Sequence, residues 1–308
     1  MRIEQVDNLK GIGILLVMFG HTALPDFMKE LIYGFHMPLF FICSGFLFKR
    51  KSLHESIKTD LKKIMVPWMF FSVCLIMSAI ILGVVTHSYS LLQLDPLNED
   101  SYCLYHTIWF LVCLFWVRTI YQVIANACNN KQILLICMMM MGGEIGWLLG
   151  RYKVEVPFFV DTALSMLIFY HVGVLFRTSE ADKRLYGKWL PILLLTMYIL
   201  FVVIIHPHVN IKNNEFPFYL LMLSIIPTYA LYQICCWLHS DLLADLGKYS
   251  LIIMGLHHPI YDVVMYPLMS KVHLPYIFVS LLMIVLTLPI ILLVRKILLK
   301  FAPCLIGY

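Results

Sequence analysis

Charge is scarce in this chain. Of its 308 residues, 13% are Asp, Glu, Lys or Arg while 61% are hydrophobic, too little charge to cover a water-soluble domain of this length. Paired cysteines are missing too. The nine cysteines are odd in number, scattered mostly through apolar stretches, and none shows C-x-x-C spacing. That argues against a disulfide framework or a zinc site and favours small apolar packers; no metal is expected. Flexible linkers, low-complexity tracts and convincing repeats are lacking as well, so the chain reads as one integral-membrane domain over 1–308. Without a compact basic and aromatic surface, nucleic acid is not an expected partner.

What is present is apolar residues in blocks about twenty long, each enough to cross ~30 Å of hydrocarbon as a helix at ~1.5 Å per residue. Mean hydropathy is +0.85. The expected fold is all-α and polytopic, with about ten spans: 5–24, 31–48, 64–87, 107–127, 131–150, 157–176, 188–206, 216–238, 249–269 and 275–297. The first block lacks a small-x-small cleavage site and follows Glu4 and Asp7, so it reads as a retained helix. With the amino terminus inside, seventeen of the 23 Lys and Arg fall on inner segments, including Arg2, Lys183, Arg184 and Lys188. Five fall outside (Lys29, Arg151, Lys153, Lys212 and Lys271), and Arg118 lies within a span. The positive-inside rule then predicts both termini in the cytoplasm.

The polar residues within the spans carry the functional reading, because ionisable groups in lipid are costly and need a partner or a wet cavity. In DNLKGIGILLVMFGH, eleven positions separate Lys10 from His21. That is close to three helical turns, placing both side chains on one face about 20° apart and ~16 Å apart along the axis. Asp7, one turn from Lys10, can partner it. GFHMPLFFICSGFLF brings His36 in at the depth of His21, with Ser44 and Gly45 two turns deeper. TIWFLVCLFWVRTIYQ buries Arg118 and carries Trp109; GGEIGWLLG carries Glu144 before Arg151; Asp161 opens the sixth span. GLHHPIYD places His257 and His258 ahead of Tyr261 and Asp262 at helical spacing. Cations gather toward the inner end, histidines and carboxylates from the midplane outward, with His171 an exception. An anionic, phosphate-bearing molecule would be received below by Lys10, Arg118 and the basic loop from Lys49, and acid–base chemistry would occur above. For Glu144 and Arg151 an ion pair locking helices is an equal reading.

These stretches resemble the membrane-bound acyltransferase-3 family, and most closely its short, fucose-4-O-acetylase-like members. The similarity rests on DNLKGIGILLVMFGH, FHMPLFFICSGFLF, TIWFLVCLF, FVDTALSMLIFYHVGVLF and LGKYSLIIMGLHHPI, in the family's order over most of the chain. The resemblance implies transfer of an acyl group, usually acetyl from acetyl-CoA, to a hydroxyl of a glycan or lipid-linked sugar. Lys10 stands where the family has arginine, keeping the charge without the bidentate fork, and His21 stands at the family's first-helix histidine. The family's late histidine maps to His257 or His258.

On this reading the acetyl-CoA phosphates lie near Lys10 and Arg118, with Ser44 and Gly45 along the pantetheine arm. His21 is the general base or a transient acetyl carrier, and His36 or a carboxylate orients it. Trp109 or Arg151 is an oxyanion donor. The outer polar rim of Asp95 to Asp100, Lys153, His206, His208, Asn213 and Asn214 is where a glycan would touch. Membrane lipid surrounds the protein, and the expected setting is a bacterial cytoplasmic membrane. Competing classes are a secondary transporter of a small polar or anionic solute, an intramembrane serine protease built on Ser44, and a non-catalytic scaffold. Paired repeats, which would favour the transporter, are not evident.

Overall fold

The computed structural model describes residues 3–129, 131–178, 189–269, 272 and 274–308. The cations Arg2, Lys183, Arg184, Lys188 and Lys271 lie outside the described residues. Every regular element among those described is helical, apart from one isolated antiparallel bridge between Asn210 and Glu215. The all-α expectation holds.

Each expected span coincides with a helix or a pair of helices, but their lengths differ. Long helices cover most of the apolar runs. α4 (Leu53–Asp60) continues through a π-helical turn, Leu61–Met65, into α5 (Val66–Thr86). After the short α6 (Tyr102–Tyr105) come α7 (Trp109–Ala127), α8 (Gln132–Arg151) and α9 (Val160–Thr178). α10 (Trp189–Ile205) and α11 (Phe218–Cys235) follow, and α15 (Tyr276–Phe301) closes the set. Five helices among the described residues are long and apolar enough to cross a membrane: Leu53–Thr86, Trp109–Ala127, Gln132–Arg151, Pro157–Thr178 and Tyr276–Phe301.

The elements that carry the candidate histidines are short or interrupted. α1 (Glu4–Gly20) ends at His21. The second expected span is split into α2 (Asp26–Tyr33) and α3 (His36–Phe46), joined through Gly34 and Phe35. The ninth is likewise divided, into α13 (Ser250–Ile260), a π-helical turn at Tyr261–Met265 and α14 (Tyr266–Met269). It is preceded by the amphipathic α12 (Asp241–Lys248), capped by the Ser240 hydroxyl, which accepts the Leu243 N–H at 3.3 Å.

Two glycine crossings lock these short helices in place, one against the long α9 and one between two of their own number. A Cβ on Gly45 would sit 1.8 Å from the Tyr170 carbonyl oxygen, and one on Gly173 would sit 2.0 Å from that of Ile42, so α3 and α9 touch backbone to backbone. Gly247 and Gly11 play the same part where α12 meets α1, at 1.8 and 2.2 Å from the carbonyl oxygens of Asp7 and Leu243. The expected stripe of Gly142, Gly146 and Gly150 is also a packing seam, with Gly142 and Gly146 against α9 and Gly150 against Asn214. Close approach through small residues is how helices associate where lipid offers no hydrophobic drive. α1 thereby sits inside the bundle, flanked by α3, α11, α12, α13 and α15.

Candidate active site

Three helix ends meet beyond the last turn of α1. His21 is fixed through its backbone: the Tyr266 hydroxyl donates to its carbonyl oxygen at 2.6 Å, and the Tyr261 hydroxyl donates to that of Met18 at 3.2 Å. Among the described residues neither ring nitrogen of His21 has a hydrogen-bond partner, so both remain available to a substrate. The His257 and His258 rings lie 5.3 and 5.4 Å away between centroids. His36 opens α3, its Nδ1 hydrogen-bonded to the Ile32 carbonyl at 2.9 Å and its ring 5.2 Å from that of Tyr33. Tyr33 in turn donates to the Gly20 carbonyl at 3.0 Å, tying α2 to the end of α1.

A chain of hydrogen bonds runs behind His21. His106 Nε2 and His258 Nε2 are 2.9 Å apart, and His258 Nδ1 is 2.9 Å from Asp262 Oδ2. The i, i+4 spacing of His258 and Asp262 on one helix makes the latter contact. The Tyr102 hydroxyl donates to the same carboxylate oxygen and lies 3.3 Å from the Ser78 hydroxyl. Its ring packs on His106 with centroids 4.8 Å apart.

His21, His36, His106 and Trp109 line one cavity of about 660 Å³, with Asp26, Lys29, Glu30, His206, His208 and Lys212 toward its mouth. That volume suits a sugar-sized ligand. Three of the mouth residues are already paired, His206 with Glu30 and Lys212 with Asp100, each pair at 2.9 Å. Beside the cavity, Phe159 packs on Trp109 and Tyr105 with centroids 5.7 and 5.1 Å away, and its N–H donates to Glu99 Oε1 at 2.8 Å. Burial lifts the Glu99 carboxyl from its ordinary 4.5 to about 7; the Phe159 N–H opposes the rise, while Asp161 and Glu155 add to it.

The other end of α1 is cationic. Lys10 bonds Asp7 at 3.3 Å, the pairing its spacing predicts. Lys10, Lys63, Ser44 and Ser250 line a crevice of about 200 Å³, together with Phe40, Phe110 and Met254. Arg118, Lys49, Lys51 and Gln122 line a further one of about 110 Å³. Arg118 finds its partner in Asp60, Nε to Oδ2 at 2.9 Å, and its Nη1 also donates to Ser44 at 3.3 Å. The three hollows lie in series. Leu47 borders the two cationic ones, and Met254 borders both the Lys10 crevice and the His21 cavity.

The sequence candidates therefore separate into two groups. His21, His36 and Trp109 share one cavity, with His257 and His258 packed behind; Lys10, Ser44 and Arg118 share the cationic end. Gly45 lies at the α3–α9 crossing rather than on a hollow. Glu144 and Arg151 are exposed on α8, apart from the cavity and without an ion pair between them. Asp161 is buried, with one carboxylate oxygen unpartnered, but does not line the cavity. Of the polar rim, His206 and His208 reach the cavity. Asn214 is instead structural: its side chain donates to the Gly146 carbonyl at 2.6 Å and accepts from Ser165 at 2.8 Å. His171 pairs with Tyr121 at 2.9 Å. Sequence reasoning did not single out His106, Tyr102, Asp60 or Met254, and noted Asp262 only for its spacing.

A family model described as an acyltransferase domain, that of the acyltransferase-3 family, matches residues 3–296. No curated protein and no solved structure matches the chain.

Proposed function

Since the chain belongs to the membrane acyltransferase-3 family, we propose that it moves an acetyl group from cytoplasmic acetyl-CoA to a hydroxyl of an extracytoplasmic or lipid-linked glycan. The observation carrying this reading is the series of hollows, cationic at the Lys10 end and lined by imidazoles at the His21 end, meeting at Met254. The ten-span arrangement, with both termini in the cytoplasm of a bacterial inner membrane, is part of the proposal. It puts the Lys10 end of α1 on the cytoplasmic side, and the excess of inner Lys and Arg supports it.

The CoA phosphates dock against Arg118, Lys49, Lys51, Lys10 and Lys63, where cations in a partly dry crevice bind anionic oxygens strongly. The pantetheine arm threads past Ser44 and Phe40, and movement of the flexible Met254 side chain admits the thioester to the His21 cavity. His21, its ring nitrogens unengaged, takes the proton of the acceptor hydroxyl as that oxygen attacks the thioester carbon. The C–S bond breaks, and the proton passes to the departing sulfur. His36 lines the same wall, and the Trp109 indole is the donor available to the developing oxyanion. No metal takes part in this scheme.

The test is to incubate the purified protein with labelled acetyl-CoA and candidate envelope glycans and to identify the product by mass spectrometry. Acetylated glycan is expected. His21→Ala should lower kcat by roughly 100-fold or more, the scale of a lost general base. Full transfer by that variant would refute the assignment. Solute uptake into proteoliposomes with no covalent product would favour a transporter instead.

A further inference from the structure

Five imidazoles converge beyond the end of α1: His21, His36, His106, His257 and His258. A base among them holds a proton for part of each cycle, and a buried cation surrounded by imidazoles is costly unless a negative charge offsets it. His36 and His257 turn their Nδ1 atoms to backbone carbonyls, of Ile32 and Ile253, which supply no net charge. Asp26 and Glu30 line the wide mouth, Glu30 already paired with His206, and Lys29 and Lys212 add positive charge there. Among the described residues one carboxylate hydrogen-bonds a member of the cluster: Asp262. The other titratable groups packed around the cluster are Tyr33, Tyr102, Tyr261 and Tyr266.

With Asp262 ionised and His258 neutral, the hydrogen bonds assign the tautomers. An ionised Asp262 accepts from both Tyr102 and His258 Nδ1, so His258 carries its proton on Nδ1. In the neutral ring Nε2 is then the acceptor, and His106 Nε2 is the donor across 2.9 Å. The His258 ring so held meets His21 edge to face at 5.4 Å.

We propose that Asp262 is the counter-ion of the histidine cluster, a positioning residue that acts through His258 to stabilise the imidazolium formed at His21. The inference rests on the acetyl-transfer reading. During transfer the O–C bond forms, the C–S bond breaks, and the hydroxyl proton moves to His21 and then to sulfur. Asp262 stays ionised throughout, and nothing is oxidised or reduced.

The experiment measures kcat and KM for acetyl-CoA and for the acceptor in Asp262→Asn, Asp262→Glu and Tyr102→Phe, each checked for an unchanged melting temperature. Asp262→Asn should lose about 100-fold in kcat with KM within about threefold, as expected for a contact that matters in the transition state. Asp262→Glu should recover part of that loss, and Tyr102→Phe, which removes one bond to the carboxylate, should lose less than about tenfold. A folded Asp262→Asn with kcat within about twofold of wild type overturns the proposal, as does a change confined to KM. If Asp262→Asn fails to fold, an unchanged kcat in Tyr102→Phe and in Asp262→Glu overturns it. If the wild type transfers no acetyl group, the acetyl-CoA reading fails and ¹⁵N-histidine NMR decides the inference separately. Loss of the Nδ1–H form of His258 in Asp262→Asn then sustains it, and an unaltered tautomer pattern in that variant overturns it.

Discussion

Arg118 and Asp60 show how a single side chain in lipid constrains a fold. Asp60 is 2% exposed and faces the guanidinium across 2.9 Å. Removing the cation strands a buried carboxylate, which costs about 3–5 kcal/mol. Arg118→Ala should therefore lower the thermal midpoint in detergent sharply. The double variant Arg118→Gln with Asp60→Asn should recover much of it, because no charge is then left unpaired; a midpoint as low as that of Arg118→Ala would contradict this account. The need for a partner was legible from Arg118 itself, an arginine inside an apolar run. The partner's identity was not, since Asp60 lies 58 positions away in a stretch whose many lysines suggested a solvated loop. His106 was hidden for a related reason: it sits at the edge of a polar loop, and only tertiary packing carries it to His258.

The helices that build the site are held by contact of backbones rather than by length. Gly45→Ala or Gly173→Ala would force α3 and α9 apart, and overpacking of this kind costs about 1–3 kcal/mol or more where the obstacle is main chain. Reduced yield and a lower melting point are expected, with transfer lost in proportion to folded protein. The loop before α7 adds a proton-dependent clamp. Glu99 titrates near 7 in the folded protein, above its ordinary 4.5, so folding takes up a proton between those values. The contribution to stability is fully present below about 4.5 and is lost as pH rises through about 7. Glu99→Gln should flatten that dependence in thermal scans across the same window. Apolar runs made the positions of the helices readable from the sequence. The break at Gly34 and Phe35 and the π-helical turn at Tyr261 were not readable, because continuous apolar lettering masks a change in hydrogen-bond register.

Across the whole molecule, the separation of cations from imidazoles was visible in the order of the polar residues, and the hollows follow it. Met254 gave no such signal, being an ordinary apolar residue in an apolar helix. Its place between the Lys10 crevice and the His21 cavity makes it the residue through which size acts. Met254→Trp should cut acetyl transfer by roughly 100-fold while acetyl-CoA still protects the protein against heating. Equal loss of donor binding would mean the tryptophan had disturbed the cationic end instead.

The proposed route gives the same thioether a duty unrelated to chemistry. On that route, a passage that opens for a thioester would also admit water, and a file of water conducts protons. An energised membrane would discharge through each copy whose partition was missing. Met254→Gly in sealed liposomes carrying a pH-sensitive dye is expected to collapse an imposed gradient faster than wild type, whether or not any sugar is supplied.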